Sequence, residues 1–358
     1  MSEPEKKHSK IKIGGRMIGE GEPTYIIAEA GVNHNGELEL AKKLIDTAKI
    51  AGADAVKFQT FRTEKLVTKT ARTALYQERN TGTGSQHALL KNLELHEDEI
   101  RELVKHADKR EITFLSTPFD EESCQLLAEL GVPAYKISSG DLTNTPLLEE
   151  AASGNIPIIL STGMATIPEI REALMVLEEH ESRILLMHCV TQYPAPVETL
   201  NLRAIETLKR IFNLPTGFSD HSTSVHMAPV AVALGADLIE KHFTLDRSLP
   251  GPDHRASLNP EELSEMISGI RDTERALGDG VKTPTPGEEK IKTLVRRSIV
   301  AARDIREGEV IQRDMITFKR PAIGIKPGEY RKLIGKRVKK PLRKDQHIRW
   351  EDVEWKEE

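Results

Sequence analysis

Short apolar runs and longer amphipathic stretches alternate along most of the chain. The apolar runs are TYIIAEAGV, DAVKFQTF, ITFLST, PAYKIS, IPIILST, RILLMHC, TGFSD and DLIEKHF. Most are separated by stretches whose apolar positions recur at helical spacing. This alternation predicts parallel βαβ units. Eight of them in about 250 residues predict a (β/α)₈ TIM barrel, with an open doubly wound sheet as the weaker alternative. Ahead of the first unit, KIKIGGRMIG reads as a hairpin turned at Gly14-Gly15. One long insertion, RTEKLVTKTARTALYQERNTGTGSQHALLKNLEL, follows the second strand, where it would form a lid or substrate loop. After Gly278 the alternation stops, and GDGVKTPTPGEE is polar and rich in Pro and Gly, as a linker is.

The predicted division is therefore hairpin and barrel over 1–280, linker over 281–296 and a small β-rich domain over 297–358. Within that last part, DIREGEVIQRDMITFK (304–319) aligns weakly with PLRKDQHIRWEDVEWK (341–356), matching Arg306/Arg343, Ile311/Ile348, Ile316/Val353 and Lys319/Lys356. Two copies of one small β unit predict a compact, pseudo-symmetric module.

Polar residues fall at one place in each barrel unit. Glu29, Lys57 with Gln59, Thr117, Lys136 with Ser139, Ser161, His188, Ser219 with His221, and His242 all lie toward the C-terminal end of their strand. In a barrel those ends meet at one mouth, where barrel enzymes do their chemistry. A single polar strand end is more often a satisfied structural residue. Eight together favour a site. The run IEKHFT poses the question most sharply, because Glu240, Lys241 and His242 sit consecutively in a strand that otherwise reads as buried. Strand alternation turns Lys241 away from His242, so an ion pair on the outer face is its expected role, and Glu240 is expected as neighbouring support for the histidine.

Charge and composition narrow the partners. With 51 basic and 56 acidic side chains in 358 residues, the net charge is −5, and no long basic block points to nucleic acid or a membrane surface. Any anion site must be local. Cys124 and Cys189 are the two cysteines and lack CxxC spacing, which fits a reducing cytosol. No stretch approaches the length of a spanning helix, and MSEPEKKHSK has no apolar leader core, so a soluble cytoplasmic protein is expected.

His221 and His242 come from neighbouring predicted strands, so both imidazoles would reach one ion at the mouth. Two imidazoles with oxygen ligands or water suit Mn²⁺, Fe²⁺, Co²⁺ or Zn²⁺. Glu29 is the nearest carboxylate by barrel closure, and open positions would let the ion polarise a carbonyl. Lys57 and Lys136, with Thr117, Ser139, Ser161 and Ser219 around them, suit a phosphate or carboxylate anion. A Schiff-base lysine is the rival use of either ammonium group. SSGD (138–141) and STGM (161–164) are turns whose backbone N–H groups would also hold an anion.

The ordered motifs IIAEAGVNHNG, KFQTF, STPFD, YKISSGDL, ILSTGM, HCVTQYPAP, GFSDHS, EKHFT and GPDHRAS resemble the sialic acid synthase family across almost the whole chain. RRSIVAARDIREGEVI and KRPAIGI resemble that family's antifreeze-like (SAF) C-terminal domain. The resemblance implies condensation of phosphoenolpyruvate (PEP) with the open-chain aldehyde of an N-acylated mannosamine-type sugar, giving a nine-carbon 2-keto acid and phosphate. It implies that Lys57, Thr117, Lys136, Ser139, Ser161 and Ser219 hold PEP. His221 and His242 would hold a divalent metal, Mn²⁺ before Mg²⁺ or Co²⁺. Glu29 and Asp141 would handle water and protons, while Gln59, Asn80, Tyr193 and Asp253 line the sugar side. It further implies a domain-swapped homodimer in which Arg320, from the other subunit, reaches the N-acyl group. Thr191 and Asp141 depart from some members, which have Asn and Glu at those positions, and this blurs the sugar. The alternatives are a related PEP-condensing barrel acting on a phosphorylated aldose, and a non-catalytic sugar- or ice-binding protein.

Overall fold

A computed structural model of the chain describes residues 10–178 and 183–354. A hairpin comes first, β1 (Ile11–Ile13) against β2 (Arg16–Ile18), joined by the two-residue turn Gly14-Gly15. Eight parallel strands follow: β3 (Tyr25–Gly31), β4 (Ala55–Thr60), β5 (Thr113–Pro118), β6 (Tyr135–Ile137), β7 (Ile158–Ser161), β8 (Ile184–Cys189), β9 (Thr216–Asp220) and β10 (Leu238–His242). They close in sequence order, β10 pairing β3, into a barrel. The eight apolar runs are the eight strands.

The barrel is built from two faces of every strand. Outward residues such as Ile26, Val56, Phe58, Leu160, Leu186, Phe218 and Ile239 pack in one large apolar cluster with helix residues such as Leu44, Leu103 and Ile267. Inward residues at the strands' starts, among them Tyr25, Ala55, Leu115, Ile159, Leu185 and Leu238, pack with Ile11, Ile13 and Ile18. The hairpin thus plugs the barrel floor, and the polar inward positions are left at the opposite end. The insertion after β4 folds into short helices over Thr63–Leu66, Leu75–Thr81 and Gln86–Leu93, tied by a bridge between Arg72 and Ser85.

A second compact unit begins at Asp279. Its first element is helix Pro286–Val295, which gives most of the predicted linker 281–296 a regular structure. Thr285 and Glu288 exchange capping hydrogen bonds at 2.7 and 3.2 Å, and Pro286 opens the helix. Ile291, Leu294 and Val295 fall at helical spacing along it, yet no side chain of this helix is buried within the chain.

The rest of the unit is the predicted repeat. β11 (Ser298–Ala301) pairs antiparallel with β12 (Ile316–Lys319). Positions 37 apart (341 − 304) repeat one another's hydrogen bonds. Ile305 and Leu342 exchange backbone bonds of 2.8 Å each way. The Ala301 N–H donates to Gln346 O at 2.9 Å, as Val338 N–H does to Glu309 O at 3.1 Å. The Ala302 N–H donates to Met315 O, and Lys339 N–H to Asp352 O, both at 2.8 Å. Ile311 and Ile348, and Ile316 and Val353, meet in one core. Arg306 and Arg343 place their N–H groups on Glu309 and Gln346 at 2.9 and 3.0 Å. The match of Lys319 with Lys356 lies outside the described residues.

Candidate active site

Because parallel neighbours face the same way, register decides which side chains meet above the apolar floor. His242 pairs with Glu29 and Glu29 with Lys57, Gln59 with Thr117, Cys189 with Ser219, and Ser219 with Glu240. All project inward at the strand ends. Lys57 Nζ lies 2.9 Å from Glu29 Oε2, donates to Thr117 Oγ1 at 2.9 Å, and lies 3.7 Å from Glu240 Oε2. Lys136 Nζ is 3.6 Å from Glu240 Oε1, which also accepts from Ser219 Oγ at 2.9 Å. Ser139 and Ser161 hydroxyls are 2.8 Å apart, and Gly163 N–H donates to Ser139 Oγ at 3.0 Å. A Cβ at Gly163 would stand 2.6 Å from that hydroxyl and collide with Thr191, so only glycine lets this turn approach. The residues expected to hold an anion therefore do converge.

Three positions differ from expectation. Glu240 is central, two residues before His242 on the same inward face and 4% exposed, whereas sequence reasoning left it as support. Asp141 is not brought into this cluster by any described contact: it sits in a 3₁₀ turn after β6, where its carboxylate accepts from Ser138 Oγ at 2.5 Å and Asn144 Nδ2 at 3.3 Å. His188 projects outward, stacked on Phe218, with Nε2–H donating to Leu200 O at 2.7 Å. Cys189 faces inward in its place, 3.8 Å from His221 and 3.9 Å from Thr191. Lys241 is outward as alternation requires, bound to Asp220 at 2.7 Å and Ser222 O at 2.6 Å.

Two buried carboxylates among two buried ammonium groups cannot behave alike. Burial pushes Glu29 up, and Glu240 adds to the push against the pull of Lys57, raising its pKa to about 7. Burial acts on Glu240 too, but Lys136 and Lys57 flank it and Ser219 donates to it, so it is held down to about 2. Lys57 is desolvated, yet Glu240 and Glu29 outweigh that and raise it, so it stays charged. The surroundings thus push the two carboxyls apart, Glu29 toward the protonated form and Glu240 toward the charged one. Such a split is how paired carboxyls take different chemical roles.

The two histidines face each other with ring centroids 5.4 Å apart. His221 Nδ1–H donates to Val190 O at 2.8 Å, which leaves Nε2 as acceptor for the Tyr193 hydroxyl at 2.9 Å. His242 is driven far toward the neutral form by burial and by His221, and its buried Nδ1 has no hydrogen-bond partner among the described residues. At His221 burial acts downward too, but Cys189 and the Val190 carbonyl outweigh it and raise the pKa. Of the two rings it is therefore His242, neutral and with an orphaned nitrogen, whose state already fits a divalent cation, while His221 would have to give up its proton and its Tyr193 bond to join it. No three His, Cys, Asp or Glu side chains form a metal-holding group among the described residues. The pair would thus leave several coordination positions to water or substrate.

On the acceptor side, Tyr193 stacks on His221 at 4.1 Å and meets His242 edge-on at 5.5 Å. Asp253 is 7% exposed, and burial raises its pKa to about 6. Asn80 lies in the insertion and donates to Pro252 O at 2.7 Å. Gln59 stands near the end of β4, paired with Thr117, and its amide joins Glu29 and His242 around Gly31. Arg320 belongs to the second unit, directly after β12. Tyr76, which sequence reasoning passed over, stacks on Tyr193 at 5.5 Å.

Comparison with known proteins decides the family. The NeuB family model matches residues 44–282, and the SAF domain model matches 296–354. The chain belongs to the NeuB family. N,N'-diacetyllegionaminic acid synthase of Campylobacter jejuni is 48% identical over 91% of this chain and 99% of its own length. The enzyme of the same name from Legionella pneumophila is 44% identical, covering 97% and 99%. The crystal structure of N-acetylneuraminic acid (sialic acid) synthetase from Leptospira borgpetersenii, in complex with citrate, superposes with a TM-score of 0.72 at 38% identity, covering 79% of this chain and 95% of that one. No helix among the described residues is long and apolar enough to cross a membrane.

Proposed function

We propose that this NeuB-family protein condenses PEP with the open-chain aldehyde of an N-acylated mannosamine-type sugar, releasing phosphate and a nine-carbon 2-keto acid. The similarity to diacetyllegionaminic acid synthases favours a 2,4-diacetamido-6-deoxy acceptor over N-acetylmannosamine. The observation that carries this reading is the buried quartet of Glu29, Lys57, Lys136 and Glu240 at the same mouth as the facing rings of His221 and His242. Lys57, Lys136 and the hydroxyls of Thr117, Ser139, Ser161 and Ser219 hold the phosphate and carboxylate of PEP. His221 and His242 hold a divalent cation, Mn²⁺ or a similar ion, which supplies Lewis-acid polarisation of the acceptor's aldehyde.

Glu29 starts protonated, as its raised pKa allows, and gives its proton to the aldehyde oxygen as the bond between the enol C3 and the aldehyde carbon forms. The positive charge left at C2 meets the fixed carboxylate of Glu240. The carboxylate of Glu29 then takes a proton from the water that adds to C2. The tetrahedral carbon loses phosphate with the electrons of the C–O bond, the C2 hydroxyl proton passes to phosphate, and the ketone remains. Lys57 is paired to carboxylates and charged, which makes it a poor Schiff-base nucleophile. A non-catalytic binding role would leave this buried quartet without work.

We extend the proposal to a homodimer in which Arg320 of one copy completes the sugar side of the other. The test of the reaction is phosphate release from PEP with a panel of N-acylated aldoses plus Mn²⁺, with mass spectrometry of the product. A panel that includes both acceptor types and yields neither phosphate nor 2-keto acid overturns the reading. Borohydride trapping of a lysine adduct replaces it by an aldolase.

A further inference from the structure

The insertion between β4 and helix Glu97–Lys109 does more than border the mouth. It is tied to itself by Thr73, whose N–H and hydroxyl donate to Gly84 O and Thr83 O at 3.3 and 2.8 Å. It is tied to the loop after β10 by Asn80, through Pro252 O. Helix Leu75–Thr81 then carries Tyr76 over the aromatic side of the site. Tyr76 lies parallel to Tyr193, 5.5 Å away at 18°, and Tyr193 lies on His221 at 4.1 Å and 29°. The three rings make one file from the insertion to a candidate metal ligand, with His242 edge-on to its middle member. Tyr76 thus backs the face of Tyr193 turned away from His221, and the Tyr193 hydroxyl must point at His221 Nε2 to make its 2.9 Å bond.

We propose that Tyr76 is a positioning residue for the acceptor sugar: by holding Tyr193 flat against His221, it fixes the aromatic wall on which the sugar lies. The inference rests on the proposed condensation and adds to it a residue that acts only on the acceptor side. The PEP side is reached less directly, because Lys57 and Lys136 are held by Glu240 and Ser139 by Ser161, contacts that involve neither tyrosine, and only Ser219, 3.4 Å from His221 Nε2, borders the ring file. Ring stacking, rather than the Tyr76 hydroxyl, is the working contact, so phenylalanine will substitute and alanine will not.

The experiment compares wild type, Tyr76→Phe and Tyr76→Ala in the full chain, with the best acceptor from the panel and with PEP. Tyr76→Ala is expected to raise the acceptor KM about tenfold, equivalent to about 1.4 kcal/mol, with the PEP KM within about twofold. Tyr76→Phe is expected to restore the wild-type acceptor KM. Equal rises in both KM values, or no rise in either, overturn the proposal. So does a Tyr76→Phe variant as impaired as alanine. A binding readout needs no turnover: the same sugar, with PEP absent, should slow proteolytic cleavage between residues 67 and 86 in wild type and in Tyr76→Phe, and should not in Tyr76→Ala. Wild type that is protected by the sugar but releases no phosphate defeats the condensation and leaves Tyr76 standing. Protection equal in all three proteins defeats Tyr76 alone.

Discussion

The upper interior of the barrel and the C-terminal unit treat buried polar groups in opposite ways. In the C-terminal unit the hydrogen bonds come in pairs related by 37 positions, around a core of Ile311, Ile348, Ile316 and Val353. In the barrel mouth, two lysines and two glutamates are buried together, one imidazole nitrogen is orphaned, and a carboxyl is pushed near neutrality. The unit obeys the rules of foldability twice over; the mouth breaks them at one place. Local violations of that kind are where binding and chemistry are expected.

The largest effect expected from breaking the contrast is at Glu240. Glu240→Gln keeps the shape but removes the charge that sits between Lys57 and Lys136. Turnover should fall by about 10³-fold, as when a fixed electrostatic partner is lost. Steady-state kinetics checks this, and a loss under threefold would return Glu240 to the supporting role first assigned to it. Asp141→Asn, whose carboxylate is bound to Ser138 and Asn144, should cost far less.

Why Glu240 was missed is instructive, because the signal was present. The period-two rule that sends Lys241 outward sends Glu240 inward with His242, and applied to β8 it sends His188 outward and Cys189 inward. The strands, their order and the convergence of lysines and hydroxyls at one mouth were legible because apolar runs, barrel closure and strand-end polarity all pointed the same way. Asp141 was not, since a 3₁₀ turn after a short strand abandons the strand's alternation. Tyr76 was not, because its partner Tyr193 is 117 positions away (193 − 76) and no local pattern reports a stack between an insertion and a strand end. Helix Pro286–Val295 was passed over for a third reason: the Pro and Gly of its surroundings read as a linker, although Thr285, Pro286 and Glu288 mark a helix start and Ile291, Leu294 and Val295 fall at helical spacing.

The next effect is on stability against pH. Glu29 is raised from 4.5 in the unfolded chain to about 7 in the fold. The folded state therefore binds the extra proton between those values, and this group's contribution falls as pH rises from about 4.5 to about 7, then levels. Glu240 works in the other direction, its contribution being lost as pH falls from 4.5 toward about 2. The stability of wild type relative to Glu29→Gln should thus drop by up to about 3 kcal/mol across the upper window. Denaturant titrations at pH 5 and 8 measure it. A difference that is flat or rising would mean that Glu29 is an ordinary ionised partner of Lys57.

A smaller effect joins the two regions. Arg320→Ala should raise the acceptor KM by roughly 10- to 150-fold, the worth of a charge-assisted hydrogen bond of about 1.5–3 kcal/mol, and leave the PEP KM nearly unchanged. Mixed with His242→Ala under subunit exchange, it should form heterodimers in which one mouth has intact ligands and an intact arginine. Activity above that of either variant alone supports the cap from a second copy. Demonstrated exchange without recovery would place Arg320 elsewhere.

The smallest effect tests the symmetry of the C-terminal unit itself. Gly308 and Asp345 occupy equivalent positions in the two halves (345 − 308 = 37) and share a left-handed backbone, with φ of +73° and +69°. A Cβ at Gly308 would meet nothing within 4 Å, so a side chain there costs only the backbone strain. Asp345 already bears that strain, offset in part by an ion pair with Lys319. Gly308→Asp makes the halves alike and should destabilise the unit by about 1 kcal/mol, the usual cost of a left-handed residue that is not glycine. The barrel should not notice. Thermal unfolding measures the first part and the KM for PEP the second. A loss of several kcal/mol would mean that the two halves are not equivalent at their turns. A changed KM for PEP would mean that the unit's fold is read by the site it was contrasted with.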